Sequence, residues 1–257
     1  MKIIHKDRLP LKYLKSICRI NASVWYNGCP NRTKFIYWLD VLAGATSQNK
    51  WAHNYLDLAL DDKGICIGYL MAYVSSKPRI FHPVMALINF LACFLLFFSK
   101  DGRGLLALHR MFRFHQDATV RLGKAALLGK DYKKISEGIL VAIYPKYHKF
   151  GIYREMTKRL MEKIKGYFIF HTSTECVYQA HKAIGYKKIF ECPYFYPEKH
   201  TSFIMYGEKS SLKLEFTYPS ELTPWRADWK MAAILHLSQM PIIKHGSGTT
   251  QGAFGSI

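Results

Sequence analysis

The sequence is poor in acidic residues and has no paired cysteine motif. Asp and Glu number 18 against 37 Lys and Arg, which gives a formal net charge of +19. This excess favours anionic partners, namely nucleotide phosphates, nucleic acid or an acidic membrane face. The six cysteines are dispersed, with no CxxC pair and no His spacing of the metal-binding kind. We therefore expect free thiols in a reducing compartment and no metal site.

The sequence also lacks an apolar run long enough to cross a membrane. The run VMALINFLACFLLFF, residues 84–98, has fifteen residues, of which Asn89 is the only polar one. About twenty apolar residues are needed for a span. The first residues, MKIIHKDRLPLKYLK, are too charged for a secretory signal. We expect a cytoplasmic protein, with attachment to the inner face of a membrane left open.

Apolar periodicity predicts an α/β chain with a mixed sheet. Helices are predicted at 11–27, 33–45, 152–166 and 173–186, and strands at 54–60, 65–75, 136–145, 167–172, 187–191 and 201–209. The turn Asp62-Lys63-Gly64 between two apolar stretches indicates a hairpin. We expect one main domain over residues 1–208 with a mostly helical insertion at 77–135. A C-terminal extension at 209–257 ends in a Gly- and Ser-rich segment.

The stretch YPKYHKFGIYREM, residues 144–156, follows a nearly continuous apolar strand and leads into a helix. The amide groups and positive dipole end of a helix N-terminus bind anions, and a glycine lets the backbone approach closely. The stretch resembles the acyl-CoA pyrophosphate loop of the GNAT superfamily of N-acyltransferases, whose form is Q/R-x-x-G-x-G/A. The matching positions are His148, Lys149, Phe150, Gly151, Ile152 and Tyr153, where Tyr153 replaces a small residue.

The order of the surrounding elements also resembles that family. A hairpin containing Gly68-Tyr69 precedes the loop, and a late helix closing in Gly185-Tyr186 follows it, so the resemblance covers residues 1–76 and 136–208. It implies a GNAT-like mixed central sheet flanked by helices, with acetyl-CoA or another acyl-CoA as co-substrate. The implied reaction is direct acyl transfer to a primary amine of a small-molecule, sugar or lipid-linked acceptor.

The same resemblance suggests roles on the central strand. Backbone amides at Val141, Ala142 and Ile143 lie where this strand of the family splays to admit the pantetheine arm of CoA. Many members carry a glutamate base near the start of the strand, where this sequence has Glu137. The alternative for Glu137 is an edge carboxylate paired with Lys133 or Lys134.

Two positions of the late helix are candidate acids for the leaving thiolate. Many GNAT enzymes have a tyrosine four residues before the closing glycine, and this sequence has His181 there. Histidine donates protons near neutral pH, and Tyr178, one turn earlier, is the competing candidate. Alternatively, His181 is a surface residue beside Lys182. Thr174 stands where the family often bonds the cofactor arm, and it is equally suited to cap the helix.

The insertion is the main indication of the acceptor. Its apolar run is bracketed by basic residues, and 77–135 hold 11 Lys and Arg against 3 Asp and Glu. This composition suits a helix lying on an anionic membrane surface. We favour the alternative of a helical hairpin packed over the acceptor side of the core, with a second helix beginning near His109. Either arrangement builds an apolar wall near the acceptor.

Three classes of function follow from the sequence. The first is the acyltransferase. The second is a GNAT-like fold without catalysis that binds a ligand or partner, which the departures at Tyr153 and His181 suggest. The third is nucleic-acid binding through aromatic residues among lysines. Because the charge is spread over the chain and the aromatic residues follow core periodicity, we do not expect nucleic acid as the partner. The oligomeric state is left open.

Overall fold

The computed structural model describes residues 1–25, 34–49, 53–127, 135–172, 175–194 and 200–208. The strands are β1 (Lys2–Lys6), β2 (Tyr55–Leu60), β3 (Cys66–Tyr73), β4 (Ile135–Ile143), β5 (Tyr167–Thr172), β6 (Lys187–Tyr194) and β7 (His200–Glu208). The helices are α1 (Leu14–Trp25), α2 (Lys34–Asn49), α3 (Pro83–Phe97), α4 (Lys100–Ala126), α5 (Ile152–Lys163) and α6 (Glu175–Ala183).

Within these ranges the strands form a seven-stranded sheet in the order β1-β2-β3-β4-β5-β7-β6. Among the described strands, neighbours are antiparallel except for β4 and β5, which are parallel. Helices cover both faces. The predicted fold class, a mixed central sheet flanked by helices, is confirmed. The edge strand β1 was not predicted, because its five residues are charged at both ends and carry no turn signal.

The β2–β3 hairpin forms where the sequence predicts it. Gly64 has a left-handed backbone with φ of 73°. The Asp61 carboxylate accepts hydrogen bonds from the amides of Lys63 and Ile65, at 3.0 and 2.8 Å. A short polar side chain and a glycine therefore define the turn. Every residue of β2 is buried, and so is β3 up to Ala72, as expected for inner strands with helices on both faces.

The two faces of the sheet carry different helices. Helices α5 and α6 cover the face whose core includes Met156, Leu160 and Phe170. Helices α1 and α2 cover the opposite face, and α4 extends that layer over β5 and β7, where Leu127 packs on Ile169 and its neighbours. Ile169 alternates with Phe170 along β5, which places α4 and α5 on opposite sides of the sheet.

The insertion forms a helical hairpin, α3 and α4, attached to α2. Asn89, the polar residue of the apolar run, is buried and donates to the Ala43 carbonyl at 2.9 Å and to Thr46 Oγ1 at 3.2 Å. His109 Nε2 on α4 contacts the buried Asp40 carboxylate of α2 at 2.7 Å. The insertion is thus a helical hairpin, as expected. The expectation that the apolar run is buried holds for only one face of α3.

The predicted start of the second helix near His109 is wrong. Helix α4 begins at Lys100, and Ser99 caps it by accepting a hydrogen bond from the Gly102 amide at 2.8 Å. A Cβ at Gly102 would lie 2.0 Å from the Leu96 carbonyl oxygen. The serine cap and the close approach at glycine let the chain reverse at once after α3. The boundary of the domain at 208 stays a prediction, since residues 209–257 lie outside the described ranges.

Candidate active site

The central strands β4 and β5 separate after a short parallel contact. Their pairing joins Ile135 to Tyr167 and ends with Glu137 opposite Ile169. Both strands continue beyond that point, β4 to Ile143 and β5 to Thr172. Meanwhile β4 stays paired with β3 up to Ile143. An opening therefore exists in the middle of the sheet, on the β5 side of β4, within the part of the chain that the structure describes.

Exposure along β4 follows this opening. Residues 137–140 are half-buried and Val141 is 37% exposed, although β4 is an inner strand. Ala142 and Ile143 are buried. The pairing of β3 with β4 shifts between Met71 and Ala72, which leaves Ile139 as an extra residue on β4. A bulge of this kind bends a strand and is frequent next to binding sites. The three positions expected beside the pantetheine arm thus lie along the open part of β4.

The loop after β4 brings a helix N-terminus to the same end of the sheet. A 3-10 helix, Pro145–Phe150, leads to Gly151, which is left-handed with φ of 69°. The first main-chain hydrogen bond of α5 runs from the Glu155 amide to the Gly151 carbonyl at 3.1 Å. The preceding amides of a helix have no acceptor within the helix and present the positive end of its dipole. Ile152 is buried and anchors this end.

The side chains of the loop are mostly solvent-facing. His148 is exposed, and its Nε2 donates to the Ile143 carbonyl at 2.9 Å, which ties the loop to the end of β4. Phe150 is also exposed. A Cβ on Gly151 would meet only an Arg154 side-chain nitrogen, at 3.9 Å, so the space above the glycine is open. The side chain of Lys149 is not among those that the structure describes.

Tyr153 and His181 form a hydrogen-bonded pair that joins α5 to α6. His181 Nδ1 lies 2.7 Å from the Val177 carbonyl, which can only accept, so Nδ1 carries the proton. In the neutral ring, Nε2 then accepts from the Tyr153 hydroxyl, with which it is in contact. The centroid of the His181 ring is 4.3 Å from that of the Phe170 ring. Phe170 directly follows Ile169, the last residue of β5 that pairs with β4. The pair therefore lies beside the opening in the sheet.

Burial determines the charge of His181. The side chain is buried, contrary to the alternative of a surface residue beside Lys182. Burial lowers the pKa of His181 to about 4, opposed in part by its hydrogen bond to the Val177 carbonyl. The ring is accordingly neutral at pH 7, and its Nε2 accepts a hydrogen bond from the Tyr153 hydroxyl in the resting arrangement. Tyr178, the competing candidate, is buried and stacks on Phe203 at 4.2 Å between ring centroids.

Glu137 is ion-paired with residues that come from the insertion. Its Oε2 accepts from Lys124 Nζ of α4 at 2.7 Å and lies 3.9 Å from Arg79 Nη2. Arg79 in turn covers the ring of Tyr73, 4.8 Å from its centroid. The insertion is thus in direct contact with the start of β4. Lys133 and Lys134, the partners considered from sequence, lie outside the described residues.

Comparison with known proteins gives structural similarities only. No protein-family model matches the sequence, and no curated protein matches it. The chain resembles GNAT-family acetyltransferases of solved structure.

One of these is the ribosomal-protein-S18-alanine N-acetyltransferase of Escherichia coli, at 8% identity and TM-score 0.43, over 84% of this chain and 100% of that one. Another is an aminoglycoside 6'-N-acetyltransferase complexed with coenzyme A, at 10% identity and TM-score 0.44, over 81% and 97%. A phosphinothricin acetyltransferase from Sinorhizobium meliloti in complex with AcCoA gives 14% identity and TM-score 0.43, over 87% and 97%.

Sequence reasoning missed three partners at this site. Lys124 and Arg79 are 13 and 58 residues from Glu137 in sequence, and the Tyr153–His181 contact spans 28 residues. One signal was present: relative to the GNAT pattern, a phenol appears on the first turn of α5, and histidine replaces the tyrosine four residues before the glycine that closes the late helix. Thr174 lies outside the described residues.

The described residues show neither a metal-binding cluster nor a membrane-spanning helix. Within the described ranges, no group of three or more His, Cys, Asp or Glu side chains is arranged to hold a metal ion. No helix in the same ranges has the length and hydropathy required to span a bilayer. Two buried thiols are also poor nucleophiles, because burial raises the pKa of Cys18 to about 11 and that of Cys66 to about 12.

Proposed function

We propose that this protein is an acyl-CoA-dependent N-acyltransferase that transfers an acetyl or longer acyl group directly to a primary amine. The observation that carries the proposal is the opening between β4 and β5, at whose end the N-terminus of α5 begins after the left-handed Gly151. An extended thioester arm fits between separated strands, and a pyrophosphate fits a helix N-terminus. The excess of basic residues favours the same anionic co-substrate.

In this proposal the backbone of β4 and the loop hold the co-substrate. Val141, Ala142 and Ile143 line the arm. Successive amides of a strand point to opposite edges, and the Tyr144 amide donates to the Ile67 carbonyl of β3 at 2.8 Å, so the amides of Val141 and Ile143 face the β5 side and polarise the thioester carbonyl. The pyrophosphate is placed over Gly151 and the first turn of α5. His148, Lys149, Phe150, Ile152 and Tyr153 complete this loop.

The transfer requires two proton movements. The neutral amine attacks the thioester carbonyl carbon, and a C–N bond forms while the amine loses one proton to a base. The C–S bond then breaks, and the leaving thiolate of CoA takes up one proton from an acid. The backbone holds the co-substrate and polarises the carbonyl, so the base and the acid are the two roles that side chains must fill.

We assign the acid to the Tyr153 hydroxyl, with His181 as the residue that positions it. A neutral, buried His181 has no proton to give at Nε2, whereas the phenol does. The hydroxyl rotates from His181 toward the thiolate sulfur and transfers its proton there. The resulting phenolate regains a proton from solvent. Tyr178 is less suited, because its ring is stacked on Phe203 within the core.

Glu137 is the proposed base, acting through water on the incoming amine. Its carboxylate is 19% exposed and lies at the point where β4 leaves β5. The ion pair with Lys124 keeps it in place, and Lys124 comes from the insertion. The acceptor is therefore expected to approach between α4 and β4, along a wall that the insertion builds. We propose for the acceptor the classes that the resemblance implies, a small-molecule, sugar or lipid-linked primary amine.

The test is calorimetric titration with acetyl-CoA, a long-chain acyl-CoA and free CoA. The decisive variant is Gly151→Trp, and Gly64→Trp is its matched control. Both glycines are left-handed, with φ of 69° and 73°, and neither has a neighbour closer than 3.9 Å to an added Cβ. The two variants thus carry similar backbone strain, but only one lies at the proposed pyrophosphate site.

We expect Gly64→Trp to bind CoA like the wild type and Gly151→Trp to lose binding. Equal binding by both variants, or no binding of any of the three ligands by the wild type, contradicts the proposal. Binding without turnover across a panel of amines indicates the second class, a ligand-binding protein without catalysis. Tyr153, at a position where the resembling loop has a small residue, is the observation that favours that second class.

A further inference from the structure

Helix α3 divides its apolar residues between two opposite faces. The residues that pack inward, Met85, Asn89, Ala92 and Leu96, recur every three or four positions. Another apolar set lies on the opposite side and is at least 40% exposed: Val84, Leu87, Phe90, Leu91, Phe94, Leu95, Phe97 and Phe98. We call this set the outer face of α3. Within the described residues nothing covers it.

Aromatic residues dominate this outer face. Phe90, Phe94 and Phe98 follow one another at intervals of four residues, with ring centroids 6.1 and 4.8 Å apart. Two exposed aromatic residues of α2, Phe35 and Trp38, add to the apolar surface. Exposed apolar patches of this kind mark interaction sites in stable proteins. Phe and Trp are also the residues that anchor proteins at the boundary between lipid headgroups and acyl chains.

Basic residues gather at one end of the outer face. Helices α2 and α3 run antiparallel, since Thr46 meets Asn89 while Leu39 shares a cluster with Leu96. The start of α2 therefore lies near the end of α3 and the start of α4. Exposed cations at these ends are Lys34, Lys100 and Arg103. Arg103 donates to the Phe97 carbonyl at 3.2 Å, so its charge stays beside the phenylalanines.

We propose that the outer face of α3 docks this protein on an anionic lipid bilayer. Helix α3 lies parallel to the membrane plane, with its phenylalanine and leucine side chains among the upper acyl chains. Lys34, Lys100 and Arg103 then meet lipid phosphates. The charge favours a bilayer over a second copy of the chain, because Lys34, Lys100 and Arg103 outnumber the exposed Asp101 at the end of the outer face, and two faces that are each net positive there repel each other.

Membrane docking does not require the proposed enzymatic activity. It depends on the exposure and aromatic content of the outer face of α3 and on the cations at its end, so a protein without catalysis would dock in the same way. If both proposals hold, docking brings the wall built by the insertion next to the lipid surface. An amine carried by a lipid would then reach the site without leaving the membrane.

The test is co-sedimentation of the full chain with vesicles of phosphatidylcholine alone or of equal parts phosphatidylcholine and phosphatidylglycerol. We expect binding to the anionic vesicles, weakening as salt is raised. Leu87→Ser and Leu122→Ser form a matched pair, since these leucines are 58% and 59% exposed on α3 and α4. Only Leu87→Ser should weaken binding. The double variant Phe90→Ser/Phe94→Ser should weaken it by at least about tenfold.

Several results would overturn the proposal. One is a wild type that does not bind anionic vesicles, and another is a double variant that binds like the wild type. A sedimentation-equilibrium dimer that the double variant dissociates, without vesicle binding, assigns the face to a second copy instead. A large fall in melting temperature of the double variant means that another part of the full chain covers the face. A double variant that melts with the wild type, and loses vesicle binding, supports the proposal.

Discussion

The phenol of Tyr153 on α5 donates a hydrogen bond to Nε2 of His181 on α6. The other nitrogen of that ring is held by the Val177 carbonyl at 2.7 Å, and this contact fixes the tautomer. The residues at both ends of the contact depart from the GNAT pattern at their positions. The two departures are therefore linked by one hydrogen bond. Through it, a buried, neutral histidine holds a phenol beside the opening of the sheet.

Tyr153→Phe removes the proposed acid and keeps the ring. We expect kcat to fall by about a hundredfold or more, with acyl-CoA affinity little changed, since general acid catalysis contributes factors of this size. The unfolding free energy should fall by about 1–3 kcal/mol, because His181 Nε2 loses its donor in a buried site. Tyr147→Phe, another half-buried tyrosine of the same region, is the control. A kcat within twofold of wild type contradicts the assignment.

His181→Gln tests the positioning role separately. The amide oxygen of glutamine can still accept from Tyr153, so we expect part of the activity to remain, whereas His181→Leu should lose most of it. Affinity for acyl-CoA should change less than kcat in both variants. Equal activity of the Gln and Leu variants would contradict a role through the Tyr153 hydroxyl.

Acid should destabilise the fold through buried histidines. Burial lowers the pKa of His181 and that of His53 to about 4 each, from an ordinary value near 6.5. Between these values the unfolded chain binds protons that the folded chain does not, so stability falls as the pH drops from about 6.5 toward 4. Each histidine should contribute roughly 2 kcal/mol of loss between pH 7 and 5.

Urea unfolding at several pH values measures this slope. His181→Gln should flatten it, because the variant lacks the buried imidazole whose pKa is lowered in the folded chain. A His181→Gln variant with the wild-type slope would mean that this ring has the same pKa in the folded and the unfolded chain, in conflict with a pKa lowered by burial.

Two lysine–glutamate ion pairs with equal N–O distances should contribute differently to the free energy of unfolding. Lys124–Glu137 and Lys188–Glu191 both have N–O distances of 2.7 Å, with side chains 13% and 19% exposed in the first and 39% and 52% in the second. We expect Glu137→Gln to cost about 1–3 kcal/mol of unfolding free energy, because Lys124 keeps a partly buried charge. Glu191→Gln should cost less than about 1 kcal/mol. Thermal denaturation compares the two.

Kinetics on the same variants test the base. Glu137→Gln should lower kcat/KM by about a hundredfold, and Lys124→Met should lower it less, because the carboxylate itself remains. A Glu137→Gln variant that is unstable but, once folded, fully active would assign Glu137 to the ion pair alone.

Two glycines of α4 should respond to alanine in opposite directions. A Cβ on Gly102 would lie 2.0 Å from the Leu96 carbonyl oxygen, whereas a Cβ on Gly104 would meet nothing within 4 Å. Gly102→Ala must shift the turn between α3 and α4 and should lower the melting temperature. Gly104→Ala should stabilise the helix by about 0.5–1 kcal/mol. A stabilising Gly102→Ala would contradict the close approach.

Much of the element order could be predicted from local signals. The hairpin with Gly64, the apolar strand that becomes β4, and the helix after Gly151 each have a turn residue and a periodicity that act over a few residues. Helix α4 was misplaced because its start depends on a cap and a close backbone approach between Leu96 and Gly102. The edge strand β1 forms by pairing with β2, and no property of five partly charged residues predicts that pairing.

The sequence by itself determined the charge excess, the mixed α/β order and the glycine at the start of α5, because these follow from composition and short-range backbone preferences. Only the tertiary structure decided the contacts that define the site. It opened the sheet after Glu137, joined Tyr153 to His181 and Lys124 to Glu137, and left one face of α3 exposed. These contacts join residues far apart in the chain, so their formation depends on packing across the whole sheet.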